Sequence, residues 1–312
     1  MNNIKMSFSI KDLENLTGIK AHTIRIWEKR YNLLQPNRSE TNIRTYSLSS
    51  LQKLLNISFL NNSGHKISKI AQLSDDEIRE TVNTIGLKNR VEDRAINAFK
   101  MSMLNFNQVL FNTTYQELLD NKSFTEIFYN VFIPLLNDIG LLWQTDTISP
   151  AHEHFITALI KQKILINIEL LQDEKEKTET KTYVLFLPEH EIHDLGLLFI
   201  NYKLIQKGLH TIFLGDSIPI SSLTNLISFF KDITFISYFT VYPEESEVLN
   251  YINEFKKVLL TTEKYNFILL GPKLANINIS SLPPEVKIHQ SIKELIDQIE
   301  PNNNQSLNYK NY

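Results

Sequence analysis

Beyond residue 181 the apolar positions of this chain fall into short solid runs, each closed by a turn. The runs are "TYVLFL" (182–187), "HTIFLG" (210–215), "ITFISYF" (233–239), "NFILLG" (266–271) and "VKIHQ" (286–290). They are rich in β-branched and aromatic residues and read as strands. Between them apolar positions recur at steps of three and four, as in "SSLTNLISFFKD" (221–232) and "ESEVLNYINEFKKVLL" (245–260), and read as helices. Strands alternating with helices make a parallel sheet covered on both faces. The pattern therefore predicts an α/β domain over residues 182–300, with five parallel strands.

Upstream, the pattern changes twice. Residues 76–172 read as helix nearly throughout. Phe99, Met103, Phe106 and Leu110 are spaced as one helix face, which predicts a single helix through them. Residues 5–75 are short helices broken by turns. "FSIKDLENLTGIKAHTIRIWEKRY" reads as helix, turn at Gly18, helix. Leu13, Leu16, Ile24 and Trp27 would lie inward, with Thr23, Arg25, Lys29 and Arg30 outward. That is a helix-turn-helix whose second helix suits a major groove. "LLQPNRSETNIRTYS" then reads as a hairpin wing carrying Arg38, Arg44 and Tyr46, followed by a Ser-capped helix, "SLSSLQKL". "DEKEKTETK" (173–181) reads as a charged linker, and the tail 301–312 as disordered.

Charge sharpens this division. Residues 1–70 hold seven Lys and four Arg against four carboxylates, a net +7; the whole chain is −3, so the remainder is −10. A basic head on an acidic body points to an acidic polymer as its partner. There is no cysteine, which excludes disulfides, thiolate metal sites and a thiol nucleophile and fits a reducing cytoplasm. No signal-like apolar segment opens the chain, and no apolar run is long enough to span a membrane.

The head resembles the winged helix-turn-helix of the MerR family. The resemblance rests on the "TGI…TIRIWEKRY" helix pair, the wing ending in "RTYS", and the "LSSLQKL" helix, and it covers nearly all of residues 7–73. It implies a regulator that binds double-stranded operator DNA as a homo-oligomer. Thr23, Arg25, Arg30, Arg38, Arg44 and Tyr46 would face the DNA. Trp27, in the Trp-Glu pair that replaces the family's Tyr-Glu, is counted with them.

At the exit of the first strand stands "PEHEIHDLG" (188–196). Ligand sites of open parallel sheets lie beyond the carboxyl ends of the strands. His193 offers an imidazole nitrogen to a metal, and Glu191 can accept the other ring N–H and raise the basicity of the ligating nitrogen. Gly196 permits close approach at the helix start. Glu191, His193, Asp194 and Gly196 resemble the D-x-H-x-x-G signature of cobalamin-binding domains, with Glu for Asp. Ser237 and Gly271 stand where that family has its S-x-L and Gly-Gly elements, although Phe239 replaces Leu and Pro272 the second Gly. The resemblance implies a flavodoxin-like, Rossmann-like fold in which His193 is the lower cobalt ligand.

The helical block adds "LLWQTDTISPAHEHF", with Trp143, nine residues, then Glu153 and His154. This is similar to the four-helix cap of the CarH/LitR group of MerR-type, cobalamin-dependent photoreceptor repressors. The cap's Trp, placed in a loop, would cover the upper axial group of adenosylcobalamin, with Glu153 and His154 beside it. The implied protein is a cytoplasmic, nucleoid-associated repressor rather than an enzyme. It would be a dimer or tetramer that grips DNA in the dark and lets go when light cleaves the cobalt–carbon bond. Gln144 replaces a His that traps the cobalt in that group, so a second His ligand would have to come from His152 or His154. Two alternatives stay open: a MerR-type regulator whose altered cobalamin domain binds a protein partner, and a cobalamin-dependent methyl carrier.

Overall fold

A computed structural model describes residues 7–38, 42–86, 91–171, 181–279 and 282–301. Apart from Lys181 and Pro301, the expected linker and tail lie outside these residues. The described chain forms two compact units that divide at Leu159/Ile160, within one helix. Among the described residues no helix is long and apolar enough to cross a membrane.

The first unit opens with the winged head. Strand β1 (Ser7–Phe8) and strand β2 (Asn37–Arg38) flank β3 (Arg44–Ser47), all antiparallel. Helix α1 (Ile10–Thr17) starts in a capping box, in which Ser9 Oγ accepts the Asp12 N–H at 3.1 Å and the Asp12 carboxylate accepts the Ser9 N–H at 2.7 Å. It stops at Gly18, whose φ of 74° turns the chain into α2 (Ala21–Tyr31). Leu13, Leu16 and Ile24 are fully buried with Leu51 and Leu54 of α3 (Leu48–Asn62). Two further helices, α4 (Ile67–Ile70) and α5 (Asp75–Gly86), complete this part.

The helical block packs in the same unit. It comprises α6 (Val91–Asn105), α7 (Gln108–Leu119), α8 (Phe124–Ile127), α9 (Ile133–Gln144) and α10 (Pro150–Glu169). A π-turn over Phe128–Phe132 joins α8 to α9, with the Ile133 N–H bonded to the Phe128 carbonyl. Pro134 follows, lacking an N–H, and the widened turn relieves its ring of the carbonyl four residues back. One expectation fails here. Phe99 and Met103 lie buried on α6, but Phe106 sits at a reversal with φ 50° and Leu110 belongs to α7. The Asn107 side chain accepts the Leu110 N–H at 3.0 Å and starts a new helix there.

The second unit is the α/β domain. Its strands β4 (Lys181–Pro188), β5 (His210–Ile218), β6 (Asp232–Tyr238), β7 (Tyr265–Leu270) and β8 (Val286–Ile288) form one parallel sheet in the order β5-β4-β6-β7-β8. This is the flavodoxin-like order, with its switch point between β4 and β6. Helices α11 (Leu195–Gln206), α12 (Ile220–Leu223), α13 (Leu226–Phe229), α14 (Val248–Leu259) and α15 (Ile292–Gln298) accompany it. Phe186, Phe235, Phe255 and Phe267 fill one core, with the last two rings 3.8 Å apart. The single helix expected over 221–232 is broken into α12 and α13. Thr224 Oγ1 and Ser228 Oγ donate to the carbonyls of Ser221 (2.6 Å) and Asn225 (2.7 Å), local bonds that compete with helix continuation.

Candidate functional site

Residues 188–194 leave β4 as a tight loop whose centre is a carboxylate. Glu191 is fully buried. Its Oε1 accepts the His193 ring Nδ1–H at 2.6 Å and the N–H groups of Ile192 and His193 at 2.9 Å. Its Oε2 accepts the N–H groups of Thr240, Val241 and Tyr242 at 3.1, 2.6 and 2.9 Å. One side chain therefore ties the exit of β4 to the exit of β6, on either side of the switch point. Burial alone would raise this carboxyl's pKa. The donors from His193, Val241 and Tyr242 outweigh it and hold the pKa at about 2. Glu191 is thus an anion across the physiological range, and as an acceptor it places a proton on His193 Nδ1 and leaves Nε2 as the ring's other nitrogen. The His193 side chain is 42% exposed, so the ring stands at the surface while its partner is sealed beneath it.

Around that ring the loops present apolar groups: Ile192 is 61% exposed, Val241 39% and Tyr242 38%. The set suits the underside of a broad, mostly apolar macrocycle bound through one nitrogen. Among the described residues no group of three or more His, Asp or Glu is arranged to hold a metal ion. Asp194, next in the chain, is buried and pairs with Lys161 of α10 at 2.5 Å.

The other expected residues divide. Gly196 lies under the Tyr238 ring, and a Cβ there would stand 3.1 Å from it. Strand alternation turns Ser237 the opposite way, with Phe235 and Phe239, towards α14. Ser237 and Gly196 are thus on opposite faces of the sheet. The Ser237 hydroxyl is buried without a hydrogen-bond partner, an orphan that a ligand or water would satisfy. Gly271, with φ 117°, allows the β7 exit to pass the Phe239 backbone, where a Cβ would meet the Phe239 carbonyl oxygen at 2.2 Å. Its role here is in the backbone. A ring nitrogen backed by a buried carboxylate is a donor that fits the cobalt of a cobalamin.

In the first unit, Trp143 lies in the last turn of α9, not in a loop, and is 52% exposed. Glu153 is half-buried and His154 exposed in the first turns of α10. His152 is not positioned to swing to a ligand. It is buried, its Nδ1 accepts the Ser149 N–H at 3.2 Å, and its ring stacks on Phe106 at 4.8 Å. The segment after Trp143 is tied to the head, because Asn15 Nδ2 donates to Thr147 Oγ1 at 2.9 Å. Neither this tie nor the Lys161–Asp194 pair carries a sequence signal.

In the head, Arg25, Arg30 and Arg38 are exposed and Thr23 half-buried. Trp27 and Tyr46 are corrections to the expected DNA-facing set, since they are 8% and 1% exposed. Trp27 packs the core. The Tyr46 hydroxyl donates to Glu28 of α2, and Arg44 pairs with the same carboxylate at 3.3 Å. Burial, then the bond to Glu28, pushes the Tyr46 pKa well above its usual value.

The comparisons follow these divisions. Residues 8–77 match the MerR HTH family regulatory protein model. Residues 95–166, the stretch with Trp143, Glu153 and His154, match a B12 binding domain. Two relatives from Myxococcus xanthus are similar over most of their length. The HTH-type transcriptional repressor CarH is 26% identical over 227 residues, 70% of this chain and 73% of that protein. The HTH-type transcriptional repressor CarA is 27% identical over 221 residues, 70% and 71% respectively. Among solved structures, the Methanosarcina barkeri monomethylamine corrinoid protein superposes with a TM-score of 0.53 at 13% identity, covering 66% of this chain and 97% of that one. That likeness concerns the fold alone.

Proposed function

We propose that this chain, which joins a MerR-type head to a B12 binding domain, is a transcriptional repressor controlled by adenosylcobalamin. The observation that carries the reading is the buried Glu191 that orients His193 at the sheet's switch point, in the same chain as a basic winged head. His193 would hold the cobalt through Nε2. Ile192, Val241 and Tyr242 would hold the corrin ring, and Trp143, Glu153 and His154, in the stretch that matches a B12 binding domain, would serve as cofactor-binding residues of the helical block. Bound adenosylcobalamin would supply a light-cleavable cobalt–carbon bond.

The chain's own residues do the rest. Glu191 orients the imidazole through Nδ1 and stiffens two strand exits at once. Asp194, beside His193, grips α10 through Lys161, and α10 begins just after Thr147, which is bonded to head helix α1. Several heads acting together in a homo-oligomer would raise DNA affinity well beyond one head's. The reading assigns no catalysis to the chain. The corrinoid-protein fold is shared with methyl carriers, but the basic head favours the regulator.

The test is to incubate the purified protein with adenosylcobalamin in darkness, pass it through gel filtration and record its visible spectrum. Retained colour is expected, with complete loss in His193→Ala and no change in its circular dichroism. A colourless wild-type protein would overturn the cofactor assignment. A green flash is then expected to change the spectrum, shift the protein to smaller size and release bound DNA. Colour without any light-driven change in DNA binding would leave a cobalamin-controlled regulator that does not sense light.

A further inference from the structure

The face of α2 turned away from the core carries three cations, Arg25, Lys29 and Arg30. His22, Arg25, Lys29 and Arg30 are all exposed. Ile26 stands among them, 51% exposed. On a helix, residue 26 neighbours 22, 23, 29 and 30 at steps of four and three, so its side chain stands beside His22, Thr23, Lys29 and Arg30, with no other apolar group among them. The core positions of the same helix, Ile24 and Trp27, lie on the opposite side and are buried.

A lone exposed isoleucine is commonplace. This one occupies the middle of the stripe that a helix-turn-helix lays into the major groove. It is not there for helix propensity, where isoleucine ranks below alanine, leucine or lysine. It cannot hydrogen-bond a phosphate or a base edge. The major-groove edges of the four bases carry one apolar group, the C5 methyl of thymine. Arg25, Lys29 and Arg30 would draw the phosphates in and bring the isoleucine down onto the base edges between them.

We propose that Ile26 is a specificity residue that reads a thymine methyl in the major groove. The inference rests on the head binding duplex DNA, and the experiment separates the two. Full-length protein, with adenosylcobalamin in darkness and without it, is used to select sites from a random duplex pool. Each thymine of the selected site is then replaced singly by deoxyuridine, which deletes only the methyl. At one thymine position the swap is expected to weaken wild-type binding about fourfold, the effect of losing one buried methyl. In Ile26→Ala the same swap is expected to have no effect. Ile26→Ala should itself weaken binding to the selected site by a similar factor, while its binding to random duplex and the salt dependence of that binding stay unchanged. Ile26 is half-exposed, so the variant is expected to fold, which a thermal melt checks.

The inference is overturned if no thymine methyl matters to the wild type. It is also overturned if the swap costs wild type and variant equally, or if Ile26→Ala weakens binding to all duplexes alike. Each of those outcomes leaves DNA binding standing. A selection that enriches no sequence would remove the DNA reading and this inference together.

Discussion

Two glutamates organise the two ends of this chain, and they do so differently. In the head, Glu28 joins the helix α2 to the wing strand β3 through two side chains, the Tyr46 hydroxyl and the Arg44 guanidinium. In the α/β domain, Glu191 joins two strand exits, mostly through backbone N–H groups, and orients one imidazole. Glu28 keeps some contact with water; Glu191 has none. A partly wet carboxylate that loses a partner is rehydrated, whereas a sealed one leaves its donors stranded. The comparison therefore predicts that the α/β domain depends on its glutamate far more than the head does.

The sharpest test is Glu191→Ala. Six donors lose their acceptor at once, and most of them are backbone groups that cannot turn to water. A loss of at least about 3 kcal/mol is expected in denaturant unfolding of the α/β domain. A loss below about 1 kcal/mol would show that the loops hold themselves and would remove the contrast with Glu28.

The same carboxylate makes a pH prediction. Its pKa is about 2 in the folded chain against 4.5 for an ordinary glutamate, so the folded state prefers it ionised. That stabilisation is complete above about pH 4.5 and is lost as pH falls from there towards 2. It amounts to about 3 kcal/mol at most. Glu191→Gln should be less stable near neutrality and should show a flatter acid limb over that window. Parallel acid limbs for the two proteins would place the low pKa elsewhere.

In the head the effect should be smaller. Tyr46→Phe keeps the buried ring and removes only the hydroxyl that reaches Glu28. About 1 kcal/mol is expected from a thermal melt. Because the wing then loses one of its two side-chain bonds to Glu28 and keeps Arg44, affinity for DNA should fall with little change in sequence preference. A cost equal to that of Glu191→Ala would erase the distinction between the two glutamates.

How much of this was legible beforehand follows from the kind of interaction. Solid apolar runs such as "TYVLFL" mark strands because a strand buried on both faces needs nothing else, and the parallel sheet followed from their alternation with helices. The His193–Glu191 contact was legible because it is local, two residues apart. The donors from Thr240 to Tyr242 were not, since they arrive about fifty residues later in the chain, at the far side of a switch point. Trp27 and Tyr46 were placed partly by motif position, and only tertiary packing decides that an aromatic with a polar end turns inward. Ser237 and Tyr238 show what the pleat adds to a motif. One residue along a strand exchanges the two faces of the sheet, and Tyr238, not Ser237, meets Gly196.

The smallest expected effect lies where neither glutamate acts. Asn15 on α1 and Thr147 after α9 share one neutral hydrogen bond of 2.9 Å, and Thr147 is almost fully buried beside Thr145. Thr147→Val keeps the shape and removes the acceptor; Asn15→Ala removes the donor. A double-mutant cycle on thermal stability should give a coupling of about 1 kcal/mol or less. Its interest lies in what else it moves. Thr147 sits four residues after Trp143 and three before α10. If the proposed cofactor acts on DNA binding through this segment, either variant should leave cobalamin retention unchanged and shrink the difference in DNA affinity between cofactor-bound and cofactor-free protein. An unchanged difference would mean that the signal passes around this bond, and that the tie between head and helical block is only a matter of packing.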